Sequence, residues 1–312
     1  MRHTTVDSRP FDVVCLGYNS VDLICCIERF VEHGKKTQMT ALHKQGGGQA
    51  ATAAVAVQRL GFRARYLGKF GGDELGCFSR QTLIDLGIET QGCVHAAPHV
   101  ANQLAIVLVD ELSGERTIAY HRSRELELLP GELQREHVTS GRMLLCDSHQ
   151  IPALFESVGW AREAGMCVVL DAERTPPGIE RLLELVDYIV SDSSFVCTIT
   201  GIDDKRRALA QLARMHGKGN PVVMTDGRNG SLAWHEGRIV EAAGFDVKVC
   251  DTTGAGDVFH AAFVCGLLHG YDLPRLLTFC NAAAALKSTR LGGRDGIPDR
   301  ETLLRFIADN GR

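Results

Sequence analysis

Short apolar runs of strand length alternate with stretches of helical length along most of the chain, and this order is the strongest constraint on its fold. "FDVVCLG" (11–17) predicts a first strand. "GQAATAAVAVQRLG" (48–61) predicts a helix bracketed by Gly48 and Gly61, with alanines suited to close packing. "ARYLGKF" (64–70), "RMLLCD" (142–147), "MCVVLD" (166–171), "YIVSD" (188–192) and "PVVMTDG" (221–227) predict further core strands. "ALFESVGWAREAG" (153–165), "RLLELVD" (181–187) and "RALAQLARMHG" (207–217) read as the helices between them. A parallel strand pair needs a crossover, and crossover helices cover the sheet. The expectation is a three-layer α/β/α sandwich around a mainly parallel sheet, with ligands beyond the carboxyl ends of its strands.

Two stretches break the alternation. Residues 22–45 and 102–121, the latter reading "NQLAIVLVDELSGERTIAYH", alternate apolar with polar residues and have no helix between strands. They predict a small separate sheet, with a hairpin turning at Ser113-Gly114. No Pro/Gly/Ser-rich linker or internal repeat divides the 312 residues, so one domain over 1–312 with a discontinuous β lid is expected. A hydrophobic content of 45% allows a sizeable core, and a net charge of −4 offers no electrostatic case for nucleic acid or an anionic membrane. The eleven cysteines lie mostly in apolar runs without metal-site spacing, which suits free thiols in a reducing cytoplasm. The N-terminal "MRHTTVDSRPFD" has no signal-peptide apolar region, and no run is long enough to span a bilayer.

The densest chemistry lies in "VCDTTGAGDVFHAAF" (249–263). Helix N-termini carry unpaired N–H groups and a partial positive charge. Gly254 and Gly256 let a ligand approach that backbone, so the amides of Gly254, Ala255 and Gly256 form a candidate anion hole for a phosphoryl group. Asp257 has two readings. It either complements the helix dipole, or accepts a proton from a hydroxyl attacking that phosphoryl group.

"DTTGAGDVF" together with "GGGQAATAAVAVQRLG" resembles the PfkB/ribokinase family of carbohydrate kinases, and the resemblance runs from the first strand to "GGRDGIPD". It implies an ATP- and Mg2+-dependent sugar kinase with a β lid over the sugar, Asp257 as catalytic base and Gly254 to Gly256 as anion hole. It places Thr225, Gly227 and Gly230 by the phosphates and ribose of ATP, and Asn281 near the adenine. Asp22 would bind sugar hydroxyls, and Gly47 and Gly48 would let the sugar reach the backbone. Asp251, Thr253 and carbonyls around Arg290 to Gly293 would match a monovalent-cation site for K+. Many relatives pack two lids together, so a homodimer is expected, with "LAIVLV" (104–109) supplying much of the contact.

Two positions depart from the family pattern. Thr52 stands where Asn is usual, which changes the hydroxyl pattern read there. The family's N-x-x-E motif for magnesium aligns Asp192 with the Asn and Phe195 with the Glu. Asp192 can order a magnesium-bound water; Phe195 cannot, and Glu173, just past the strand "VVLD", is a candidate substitute carboxylate. "LELLP" and the tail "ALKSTRLGGRDGIPD" look closest to the branch containing sulfofructose kinase, implying a ketohexose or a ketose with an anionic end. Arg122 and Arg124 in "YHRSR" would meet that anion, or else are solvated. His149 is a substrate ligand or a structural histidine. The rivals are a nucleoside kinase of the same fold, with Phe30 or Tyr18 stacking on the base, and a sensor that binds without turnover. A dinucleotide oxidoreductase is disfavoured, because "GYNSVD" follows the first strand where GxGxxG belongs.

Overall fold

Strand β1 (Phe11–Leu16) shows why the apolar runs form a sheet covered on both faces. In the computed structural model, which describes residues 9–113 and 116–312, its successive side chains enter two cores. Val13 and Cys15 join one buried cluster, Val14 and Leu16 the other, following the two-residue period of a strand. The remaining described strands are β2 (Ser20–Ile27), β3 (Ala41–Gly47), β4 (Ala64–Leu67), β5 (Lys69–Phe70), β6 (Val94–His95), β7 (Leu104–Asp110), β8 (Arg116–His121), β9 (Gly141–Asp147), β10 (Cys167–Ala172), β11 (Tyr188–Asp192), β12 (Val222–Thr225), β13 (Gly230–His235) and β14 (Arg238–Ala243). The described helices are α1 (Gln49–Arg59), α2 (Glu74–Ile84), α3 (Arg135–Val138), α4 (Ile151–Glu163), α5 (Ile179–Leu185), α6 (Ser193–Thr200), α7 (Lys205–His216), α8 (Ala255–Leu268), α9 (Leu273–Lys287) and α10 (Arg300–Asp309).

The main sheet runs β14-β13-β12-β11-β10-β9-β1-β4. It is parallel from β4 to β12, and β13 and β14 add an antiparallel edge. One face carries α1, α8 and α9 and the other α4 to α7, which gives the three-layer α/β/α architecture. Alanines at 50, 51, 53, 54 and 56 keep α1 thin enough to pack against the sheet and α8.

A second sheet, β3-β2-β7-β8, has β2 and β7 parallel and antiparallel edges. Ile24, Cys26, Ala105, Val107 and Val109 give it a small core of its own, while Leu42 and Ile106 stand exposed. The extended stretch expected over 22–45 is two strands separated by residues 28–40, which form no strand. Of the expected hairpin turn, Ser113 is described and Gly114 lies outside the described residues. The stretch 64–70 is divided at Gly68: β4 joins the main sheet, and β5 leaves it to pair with β6. Among the described residues no helix is long and apolar enough to cross a membrane.

Candidate active site

The turn before α8 is shaped by its neighbour across the molecule. Gly254 caps the helix in the left-handed region, at φ 76°, and a Cβ there would press on the Gly293 carbonyl at 2.6 Å. On either side of this turn lies a cavity, one of about 490 Å3 and one of about 370 Å3. Thr253, Gly254 and Asp257 line the larger; Thr252, Ala255 and Gly256 line the smaller. A helix N-terminus therefore forms the wall between two pockets. Of the three amides expected to form the anion hole, that of Ala255 already donates to the Thr252 carbonyl at 3.2 Å.

Burial pushes the Asp257 carboxyl up to about 7, and Asp171, Glu173 and Asp147 add to the rise while His260 opposes it. One turn along α8, His260 places Nδ1 2.9 Å from Asp171 Oδ2, both side chains being buried. Burial alone would lower the His260 pKa, but Asp171 beside it carries the net shift upward. A carboxyl group with a pKa near neutrality, facing a cavity, has the proton affinity of a general base.

The larger cavity lies between the main sheet and the lid. Asp22, from β2, faces it, accepts a 2.7 Å bond from Ser20 Oγ and has its pKa raised by burial. Gly47 does not line the cavity; it lies behind Asp22, and any side chain there would collide with that carboxylate. Gly48 and Thr52 do line it. A residue not singled out in the sequence organises this corner. The buried Arg294 guanidinium donates to the Gly47 carbonyl (3.0 Å), Thr82 Oγ1 (3.1 Å) and Thr52 Oγ1 (3.5 Å), and burial pushes its pKa down to about 10.

His149 and Arg122 both face the larger cavity but are tied to each other, with Arg122 Nη1 2.9 Å from His149 Nδ1. Arg122 also lies over the Tyr18 ring, and His149 packs beside that ring. Glu173 Oε2 is 3.7 Å from His149 Nε2 and accepts a 2.7 Å bond from Gln49; its hydrogen bond with His149 holds its pKa below the usual carboxylate value. Arg124, expected beside Arg122, lines neither cavity. The other arginines of the larger cavity are Arg174 and Arg116, the latter reaching Thr252 Oγ1 and lying 3.6 Å from Asp251. Gln103 was also missed: it is buried in the cavity wall, and among the described residues its Oε1 has no partner. Such an acceptor is open to a donor from a ligand or a water in the cavity.

The smaller cavity gathers Thr225, Gly227, Gly230 and Asn281, as expected. Asn281 is buried on α9, where its amide donates to Ala242 O (2.9 Å) and Ala243 O (3.4 Å). Phe245, Val247 and Val249 make the far wall apolar, as a planar base requires.

Of the two carboxylates expected at magnesium, Glu173 lines the larger cavity and Asp192 does not. Asp192 lines neither cavity and caps α6, accepting a 2.7 Å bond from the Phe195 amide, while the Phe195 side chain is buried in the core. Among the described residues no three His, Cys, Asp or Glu side chains are placed to hold a metal together. Asp251 accepts from the Thr253 amide (2.8 Å), Thr253 Oγ1 (2.7 Å) and the Gly292 amide (2.8 Å). Burial raises its pKa, but these bonds and Lys287 together hold it below the ordinary value. The Lys287 ammonium donates to the Asp251 carbonyl at 2.8 Å.

A profile of the pfkB family carbohydrate kinases matches residues 11–300. The ribokinase of Haemophilus influenzae is 25% identical over 296 residues, covering 94% of this chain and 97% of its own length. A 5-dehydro-2-deoxygluconokinase of Listeria monocytogenes is 26% identical over 321 residues, covering 96% of this chain and 97% of its own. The crystal structure of an Agrobacterium tumefaciens protein, provisionally described as a ribokinase, superposes with a TM-score of 0.91 at 25% identity, covering 97% of this chain and 99% of its own. An E. coli structure, provisionally described as ribokinase II in complex with ATP and Mg2+, shares the fold with a TM-score of 0.82 at 19% identity, covering 96% and 99%.

Proposed function

The chain belongs to the pfkB family of carbohydrate kinases, and on that premise we propose that it transfers the γ-phosphoryl group of ATP to a primary hydroxyl of a sugar held in the larger cavity. The observation that carries this reading is the shared wall: Asp257 faces one cavity and Gly256, one residue earlier, faces the other. ATP would occupy the smaller cavity, with its adenine toward Asn281 and Phe245 and its phosphates toward Thr225, Gly227 and the start of α8. The sugar hydroxyl would attack the γ-phosphorus in line and lose its proton to Asp257. The helix-start amides of Gly254 and Gly256 would stabilise the charge on the equatorial oxygens.

Asp22, Thr52, Gln103 and the Gly48 backbone are the groups assigned to the sugar hydroxyls. The favoured substrate is a ketose with an anionic end, since Arg174 supplies a cation in the cavity wall where Arg124 does not. A nucleoside is disfavoured, because Phe30 lines neither cavity and the Tyr18 ring is already engaged by Arg122 and His149. Bound with the ATP phosphates, magnesium would supply charge neutralisation; with Phe195 buried, Glu173 is the carboxylate that would hold its waters. The protein would act in the cytoplasm, with the chain working as one domain. Two lids would pack through the outer face that bears Leu42 and Ile106, forming a homodimer.

The test is ATP with a panel of ketoses, aldoses, acidic and sulfonated sugars and nucleosides, with products read by mass. One sugar should gain one phosphoryl group. Phosphorylation of nucleosides alone would favour the rival kinase, and tight ATP binding without turnover on the whole panel would favour a sensor.

A further inference from the structure

The family resemblance implies a monovalent cation beneath the anion-hole turn, ligated by Asp251, Thr253 and carbonyls of residues 290–293. Beside Asp251 the structure holds a lysine side chain, Lys287. Two segments far apart in sequence close on each other at this point. The amides of Cys250 and Asp251 donate to the Ser288 carbonyl (2.8 and 3.2 Å), and the Gly292 amide donates to Asp251 Oδ2 (2.8 Å). Lys287, the last residue of α9, points into this junction with no exposure to solvent, and its Nζ meets the Asp251 carbonyl at 2.8 Å.

A buried ammonium is costly unless oxygen ligands replace its water, and a chain keeps one where a positive charge is needed. Carbonyl oxygens and a nearby carboxylate are also the ligands that a hard monovalent cation takes. The Asp251 carboxylate is already occupied by the three bonds from Thr253 and Gly292. Arg116 brings a second positive charge to within 3.6 Å of it. A free cation entering beside Lys287 would face two like charges and compete for a carboxylate that already accepts three hydrogen bonds.

We propose that the Lys287 ammonium takes the place of the monovalent cation, so that the anion-hole turn is held by a charge built into the chain and the protein has no K+ requirement. The site's need for positive charge rests on the kinase reading, but the test uses no substrate and so fails independently of it. Melting of the native protein is compared in potassium chloride and choline chloride at equal ionic strength; a bound ion would stabilise the folded state by mass action. The expected result is the same melting temperature in both salts. A saturable rise with K+ would overturn the proposal. Lys287→Met should melt several degrees lower in choline chloride and recover part of that loss in K+ but not Li+. A folded Lys287→Met protein indifferent to K+ would also overturn it. Should that variant not fold, crystals of the native protein soaked in Rb+ decide. An anomalous peak beside the Asp251 carbonyl would sink the idea, and its absence there, with Lys287 in place, would uphold it.

Discussion

The two cavities that share the start of α8 are built in different ways. The smaller is shaped largely by backbone and small residues: Gly227, Gly230, Gly244, Ala255 and Gly256 line it, with a few apolar side chains opposite. The larger is walled by charged and polar side chains from the main sheet, α1 and the lid, and several of these are already bonded to one another: Ser20 to Asp22, Gln49 to Glu173 and Arg122 to His149. A wall of backbone accepts one shape and tolerates little change in sequence. A wall of converging side chains can be retuned one residue at a time, which suits the side proposed to hold the sugar.

The largest effect should fall on the residue that faces one cavity from the shared wall. Asp257→Asn is expected to lower kcat by about 10²-fold or more, with circular dichroism and ATP affinity close to native. Near-normal turnover on the true substrate would remove Asp257 from the mechanism and leave it the dipole partner of α8.

The backbone-built side should be broken by added bulk. A Cβ at Gly256 meets nothing within 4 Å, so Gly256→Val should fold with a native melting temperature. Its side chain would fill the space assigned to phosphate, an overpacking cost that weakens ATP by about tenfold to a hundredfold. Gly254→Ala should show the opposite pattern, a lower melting temperature, because of its left-handed φ and the Gly293 carbonyl. Calorimetry and thermal melts separate the two, and native ATP affinity in Gly256→Val would detach the phosphate from this turn.

The raised Asp257 pKa adds a pH test of the shared wall. A carboxyl with a folded pKa of about 7, above its unfolded value, binds its proton more tightly when folded. Stability should therefore fall as pH rises from about 4 through 7. Asp257→Asn escapes that loss, so it should melt higher than the native protein at pH 8 and match it near pH 4. The reverse ordering at pH 8 would mean that Asp257 is ionised without cost in the folded state.

Smaller effects belong to the side-chain-built region. Glu173→Gln should raise the magnesium concentration for half-maximal rate a few-fold and leave the sugar KM nearly unchanged. An unchanged magnesium titration would return the role to Asp192, despite its place at the α6 cap. The combined change Ile106→Lys and Leu108→Lys, on the outer face of the lid, should give monomers by light scattering and a modest rise in sugar KM. A native protein already monomeric at micromolar concentration would end the dimer proposal and leave the kinase untouched.

Much of the fold and half of the site were legible in the amino-acid sequence. The strand–helix order and the start of α8 depend on periodicity, capping and short motifs, which act over a few residues, whereas Thr225, Gly227, Gly230 and Asn281 were singled out only by what the family resemblance implies. What the pattern could not show was the break at Gly68, because strand propensity runs through it and only the pairing of β5 with β6 diverts the chain. Arg294 gave no local signal. Its guanidinium serves Thr52, 242 residues away, and sequence spacing carries no trace of such a contact. The same holds for Lys287 beneath Asp251 and Arg116 above it, and for Arg122, whose charge looked available until His149 and Tyr18 came to meet it.

By itself, the sequence determined an α/β/α sandwich with a β lid and a helix start fit to hold a phosphoryl group beside a carboxyl. Which charges stand free in the larger cavity, which are tied to one another and which groups surround Asp251 were decided only by tertiary structure. The reason is physical. A helix start or a strand is stabilised by neighbours along the chain, whereas the state of a buried charge is set by whatever distant groups folding brings within a few ångströms of it.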